Sequence, residues 1–483
     1  MKRRLSAVLL IALTSAPAAA QTADSLARAV VQAVNLPDAE QRRFVQASFS
    51  PRALERNSAE ELAALLKQLR EQSGGVRLVG FEPAQGSALA ILSSLKQPRY
   101  ALLAVSPDRE QPTRIGRVQV LKSWHPATDS IAWPNTRLSE AELKTVIERN
   151  VRRLGELDAF SGVVLVGKQD RVLVAAAHGY SNRDHMVRNQ LDTKFNFASM
   201  GKMFTAIAIG QLVQAGRLSL DDTLAQVLPA YPQRENARRI TIRQLLSHKA
   251  GLGSMFEDAR FDRRRDYESA LALVSAVADK PLAFEPGTRW SYSNEGYEVL
   301  AAVIEKVSGL RYADYVRKHI FEPAGMTSTD NFRLDRIVPN RATGYAARED
   351  DYFGVEGRVP NSNIVGLTGT GAGGGYTTAP DLWKFAQALR RNTLLSAAMR
   401  DTLMQGREPL PWDANTRYGY GFMHARVGEK ELYGHNGGGT RSGIDTDFAF
   451  FTDGSYTVIV LSNYDPPSGH DLQRQLKRLL SVQ

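Results

Sequence analysis

Strand-forming sequence stands at both ends of the long carboxy-terminal part of this chain, with helix-forming sequence between. An amphipathic helix spans about Ser139 to Leu154, and Ser161–Val166 and Val172–His178 then read as a hairpin of strands. A helix-rich block runs from Ser199 to about Ile320, and glycine-rich loop sequence follows to Tyr376. Strands return at Tyr418–Val427, Lys430–Gly434, Asp447–Thr452 and Tyr456–Leu461, before a last helix over about Asp471 to Leu480. Such a segment is expected to build one sheet from both of its ends and to set the helical insert apart as a lobe. The expected fold is α+β, an antiparallel sheet flanked by helices with a helical lobe.

A small α+β domain is expected before it. Helical patterns cover Ser25 to Val34 and Asp38 to Phe49. A third starts after Ser58, a capping residue with Glu60 and Glu61 in the first turn, and Gly74-Gly75 ends it. Strand-like runs follow at Val76–Phe81, Ala88–Leu92, Tyr100–Val105 and Ile115–Leu121. At 483 residues the chain exceeds one ordinary core. The expected division is a signal peptide at 1–20, a small domain at 21–124 without a catalytic constellation, a linker at 125–138 carrying Pro126 and Pro134, and the main domain at 139–483.

Lys2-Arg3-Arg4, an apolar run from Leu5 to about Thr14, and Ala18-Ala19-Ala20 have the order of a secretory signal with its cleavage site. Removing those three basic residues takes the formal charge from +10 to +7. The expected place is periplasmic or secreted, with no transmembrane anchor in the mature chain and no nucleic acid as partner. The densest basic run, Arg263-Arg264-Arg265, is flanked by Asp262 and Asp266 and reads as a hydrated helix start. Cysteine is absent, the eight histidines are scattered, and there is no H-E-x-x-H, so neither a metal nor another cofactor is expected.

Three short elements carry chemistry. In Ser199-Met200-Gly201-Lys202, residues i and i+3 share a helix face, so hydroxyl and amine meet. Burial lowers a lysine pKa and lets the amine accept a proton. In Tyr292-Ser293-Asn294, a phenol beside a lysine has its phenolate favoured and can act as base, and the asparagine can hold a substrate amide and the lysine. In His435-Asn436-Gly437, the imidazole can bind an anion or relay a proton, and Gly437 and Gly438 let a substrate approach the backbone. The amides of Ser199 and Gly438 are candidates for an oxyanion hole. Two decoys repeat parts of this: Ser93-Ser94-Leu95-Lys96 reads as surface sequence, and Tyr180-Ser181-Asn182 as a turn out of the sheet.

These elements, in this order, resemble the serine β-lactamase and penicillin-binding-protein-like superfamily, in the branch of class C β-lactamases, DD-peptidases, D-aminopeptidases and esterases. Phe195-Asn196-Phe197-Ala198, Leu245 to Leu252 (LLSHKAGL), Pro286-Gly287, Gly373-Gly374-Gly375 and Gly434 to Gly439 fit the same resemblance, which covers about Ser139 to the C-terminus. It implies Ser199 as acylated nucleophile, Lys202 as its proton partner, Tyr292 as base and Asn294 as a substrate and lysine contact. His435 stands where β-lactamases of the branch carry lysine, and Asn436 where threonine is usual.

The expected function is therefore an exported serine hydrolase that forms an acyl-enzyme on an ester or amide, of esterase or D-amino-acid-specific peptidase type. Its partner is a small-molecule or peptidoglycan-like substrate. A β-lactamase or penicillin-binding DD-carboxypeptidase is the alternative, and a catalytically silent envelope-binding protein the reading from another class. There is no G-x-S-x-G, and Gly369 to Gly374 matches G-x-G-x-x-G without a βαβ context, so it reads as a loop near the active site.

Overall fold

A computed structural model describes residues 18–84, 86–255, 267, 269–348, 350–354, 357–362 and 366–483. Residues 1–17 of the expected signal sequence and the 263–265 arginine run lie outside the described residues. The chain divides into two units, one of residues 1–128 with 348–357, the other of 129–347 with 358–483.

The first unit holds α1 (Ala18–Val34), α2 (Asp38–Ser48), α3 (Pro51–Arg56) and α4 (Ala59–Ser73), then β1 (Val76–Glu82), β2 (Ala88–Ser94), β3 (Tyr100–Pro107) and β4 (Ile115–Trp124), an antiparallel sheet in that order. The expected first helix is longer than its pattern, beginning at Ala18 and not at Ser25. Ser58 caps α4 in a reciprocal box with Glu61, and Gly74 ends it at φ 66. Alternate residues of β2, Ala88, Ala90 and Leu92, face the core with Val30, Val34, Leu66 and Leu69. So does Phe353, fully buried, from the ten residues 348–357 that leave the second unit. Beside it the Tyr352 amide donates to Gln72 Oε1 at 2.9 Å. Phe353→Ala is expected to destabilise the first unit by about 3–5 kcal/mol, the cost of an emptied phenylalanine site. Denaturant unfolding with separate probes on the two units measures this, and a change under about 1 kcal/mol would show that the site collapses freely.

The second unit starts with α5 (Glu140–Glu156), β5 (Gly162–Lys168) and β6 (Arg171–His178). Short pieces β7 (Tyr180–Asn182), β8 (Val187–Arg188) and β9 (Phe195–Asn196) lead to α6 (Gly201–Gln214). The lobe continues with α7 (Ile242–Leu246), α8 (Ala270–Val277) and α9 (Asn294–Ser308), and then β10 (Tyr345–Ala347), β11 (Arg358–Pro360), β12 (Tyr376–Thr377) and α10 (Ala379–Arg390). Strands β13 (Glu408–Leu410), β14 (Asp413–Tyr418), β15 (Met423–Val427), β16 (Lys430–Gly439), β17 (Ile444–Phe451) and β18 (Tyr456–Ser462) precede α11 (Ser468–Ser481).

The main sheet runs β13-β14-β15-β16-β17-β18-β5-β6, antiparallel throughout, so both ends of the unit meet where Val460 pairs with Val164. This is the expected α+β architecture. Both faces are covered, so β5, β17 and β18 are buried nearly end to end. Val164, Val166 and Val460 pack on Ile147 and Val151 of α5 and Leu472 and Leu476 of α11. Val163, Leu165 and Leu461 turn to the lobe and its helix α6, which is buried on all sides from Gly201 to Gly210 and therefore central. Two strand expectations change. Tyr418–Val427 is not one strand, because a turn at 419–422, closed by Gly419 N to Phe422 O at 2.8 Å, parts β14 from β15. The strand expected to end at Gly434 continues to Gly439, so His435, Asn436 and Gly437 lie on it, paired with Phe448, Asp447 and Thr446.

Candidate active site

Ser199 sits in a tight turn between β9 and α6. Ala198 before it is held at φ 42, a left-handed conformation unusual for alanine. Asn196 fixes the turn by accepting the Ala198 amide at 2.8 Å. The loop expected near the active site lies behind it. Gly374 N donates to Ala198 O at 3.2 Å, and Gly373 at φ 137 leaves no room for a side chain, since a Cβ would stand 1.9 Å from that oxygen.

One turn along α6, the buried Lys202 Nζ lies 3.1 Å from Ser199 Oγ, 2.7 Å from Asn294 Oδ1 and 2.8 Å from Ala372 O. Burial pulls the amine down to about 7, against the opposing pull of Glu298 and Glu295. In its uncharged form the amine has two protons and a lone pair. Asn294 Oδ1 and Ala372 O only accept, so they take the two protons, and the lone pair is left facing the Ser199 hydroxyl.

Tyr292 stands on the segment leading into α9, its phenol hydrogen-bonded to Ser199 and its ring 4.9 Å from Lys202 Nζ. The expected lowering of this phenol is not what the site gives. Burial pushes it well above the usual tyrosine range, because a phenolate there loses more in desolvation than it recovers. Ser293 caps α9 by accepting from Gly296 N at 3.0 Å, which aims Asn294 back at Lys202.

On β16, Gly437 permits close approach, since a Cβ there would lie 2.5 Å from Phe197 O and 2.9 Å from Ser199 N. Gly438 is exposed at the next position. His435 is 2 % exposed. Its Nδ1 meets Asn436 O at 2.5 Å and its Nε2 meets the Tyr418 hydroxyl at 3.1 Å, so Nδ1 carries the proton and Tyr418 donates to Nε2. Burial, helped by Lys202, holds the ring neutral with a pKa of about 3. Sequence reasoning expected an imidazole free to bind an anion or relay a proton. In the structure both nitrogens are engaged with the protein.

This geometry coincides with a family match. The model of the β-lactamase family aligns with residues 147–482, most of the chain and every residue of this site. The chain belongs to the β-lactamase family. Like the other members of the β-lactamase and penicillin-binding-protein group, it is a serine hydrolase. It is 30% identical to penicillin-binding protein 4* of Bacillus subtilis over 334 residues, 66% of this chain and 71% of that one. Among solved structures, a penicillin-binding protein from Bacillus halodurans matches with 28% identity and a TM-score of 0.58, over 71% of this chain and all of the other. An octameric penicillin-binding-protein homologue from Pyrococcus abyssi matches with 25% identity and a TM-score of 0.60, over 71% and 78%.

Within the β-lactamase-family unit the structure brings Ser199, Lys202, Tyr292, Asn294 and Gly437 together, with His435 set behind Tyr418. The decoys stay apart. Ser93 is partly buried on β2, and Leu95 and Lys96 are exposed in the bend beyond the strand's end; only Ser94 departs from the surface reading, its buried side chain donating to Ser73 O at 3.0 Å. Tyr180 pairs with Arg188 across β7 and β8, beneath the Arg188 guanidinium at 4.1 Å. Sequence reasoning missed His248 and Tyr418, whose rings lie 4.5 Å and 6.4 Å from that of Tyr292. Only the LLSHKAGL word that carries His248 marked either in advance.

Proposed function

We propose that this chain is an exported Ser-Lys-Tyr hydrolase that acylates Ser199 with esters or D-amino-acid amides. The observation that carries this is the set of distances around Lys202 Nζ, with two obligate acceptors and one hydroxyl. Uncharged Lys202 takes the Ser199 proton as Oγ attacks the acyl carbon. The amides of Ser199 and Gly438 hold the oxyanion. Tyr292, protonated at rest, passes its proton to the departing oxygen or nitrogen, and Lys202 refills Tyr292. Water then repeats the sequence and frees the acid. Asn294 orients both Lys202 and the acyl donor. The basic leader Lys2-Arg3-Arg4 with its apolar run supports export to the periplasm or medium, where a peptidoglycan-like or small-molecule substrate would be met.

Histidine at 435 supports the choice of acyl donor. Its pKa of about 3 leaves it neutral from pH 5 to 8, so this position offers no cation to a β-lactam carboxylate. Purified protein is expected to turn over a short nitrophenyl ester or a D-amino-acid anilide with kcat/KM about tenfold or more above a chromogenic cephalosporin, the scale of one missing charged contact. The relationship to penicillin-binding protein 4* favours the second reading, β-lactamase or DD-carboxypeptidase. Cephalosporin turnover at or above the ester rate would decide for it.

A further inference from the structure

We propose that His248 is a positioning residue that holds the Tyr292 phenol against Ser199, a role that rests on reading Tyr292 as proton carrier to the leaving group. His248 follows α7 at φ 60, a place where glycine or asparagine ordinarily stands. A residue with a side chain is strained there, so its contacts have to compensate.

Its contacts converge on one neighbour. The His248 carbonyl accepts from Ser291 N at 3.0 Å, and Nδ1 accepts from Ser293 N at 3.1 Å. These bonds grip the residues on either side of Tyr292. The imidazole also lies 4.5 Å from the Tyr292 ring at 36°, backed by Tyr418 at 4.5 Å and Tyr297 at 5.2 Å, with Trp290 edge-on at 5.9 Å. Because Nδ1 accepts, the ring proton sits on Nε2. That nitrogen is buried, with no hydrogen-bond partner among the described residues. His248 therefore has no hydrogen-bonded path along which to carry a proton itself. Burial, with Lys202 and His435 nearby, keeps it neutral. A proton on Nδ1 would break the bond to Ser293, so the grip exists only in the neutral ring. Such a residue acts through Tyr292.

The test compares two esters that differ in leaving group. A nitrophenolate departs without a proton, whereas an alkoxide needs one from Tyr292. His248→Gly suits the backbone and removes the grip. It is expected to lower kcat/KM, which reads acylation alone, for an alkyl ester about 30-fold or more and for a nitrophenyl ester less than about threefold. His248→Asn, which tolerates the backbone and keeps an acceptor, should restore most of the loss. In a Tyr292→Phe background, His248→Gly should add less than about twofold. Titrating Ser199 with a fluorophosphonate counts folded sites, and His248→Phe replaces the glycine variant if none titrate. Equal losses for both esters, or losses that multiply with Tyr292→Phe, overturn the role of His248. If Tyr292→Phe leaves the alkyl ester unaffected, the reading of Tyr292 fails instead.

Discussion

Ser199→Ala is expected to abolish covalent labelling by a fluorophosphonate and to lower kcat on any ester by about 10⁴-fold or more. The hydroxyl is the group that Lys202 Nζ and the Tyr292 phenol both address. Its loss removes the covalent route and leaves only the site's binding and oxyanion contacts. Little structure depends on it, because Lys202 keeps Asn294 and Ala372 as partners. Intact-protein mass after incubation with the probe reads the outcome, and Ser93→Ala should label like the unaltered protein. An adduct on the alanine variant would move the nucleophile elsewhere.

The second large effect concerns the charge on Lys202. With its pKa near 7, the amine is protonated in acid and cannot take the Ser199 proton. The sign is that of a base that must be neutral, so kcat/KM is expected to climb with pH by a factor of ten per unit below about 7 and to level off above it. Lys202→Met keeps the length and apolar stem, and should lower kcat about 10³-fold or more and flatten that acid limb. A rate profile with its midpoint near pH 4, or a methionine variant that keeps the limb, would assign the titration to another group.

How legible this was in the sequence varies with the range of the cause. Ser199 and Lys202 lie one turn apart, so helical spacing alone places the hydroxyl by the amine. The helix cap at Ser58 is equally local and stands where its pattern puts it. Tyr292 was legible as a residue and not as a charge state, because its burial comes from His248 and Tyr418, distant in sequence. The same holds for His435, whose neutrality comes from burial and from Lys202, and whose partner Tyr418 ends β14 at the turn 419–422. That turn was hidden inside what looked like one continuous strand. The acceptor at Ala372 was invisible for a simpler reason, since a backbone carbonyl has no letter of its own. Residues 348–357 read as any polar loop does, and nothing in them marks Phe353 as core.

That buried phenylalanine sets a timetable. Phe353 follows Trp124, the end of the first unit's sheet, by more than two hundred residues. A chain made from its amino end therefore emerges with the helices and strands of the first unit complete but with a ring-sized hole in their core. The hole stays open until most of the hydrolase sequence has been made. The first unit begins folding early and finishes late, and a fragment stopped at residue 128 would never finish at all.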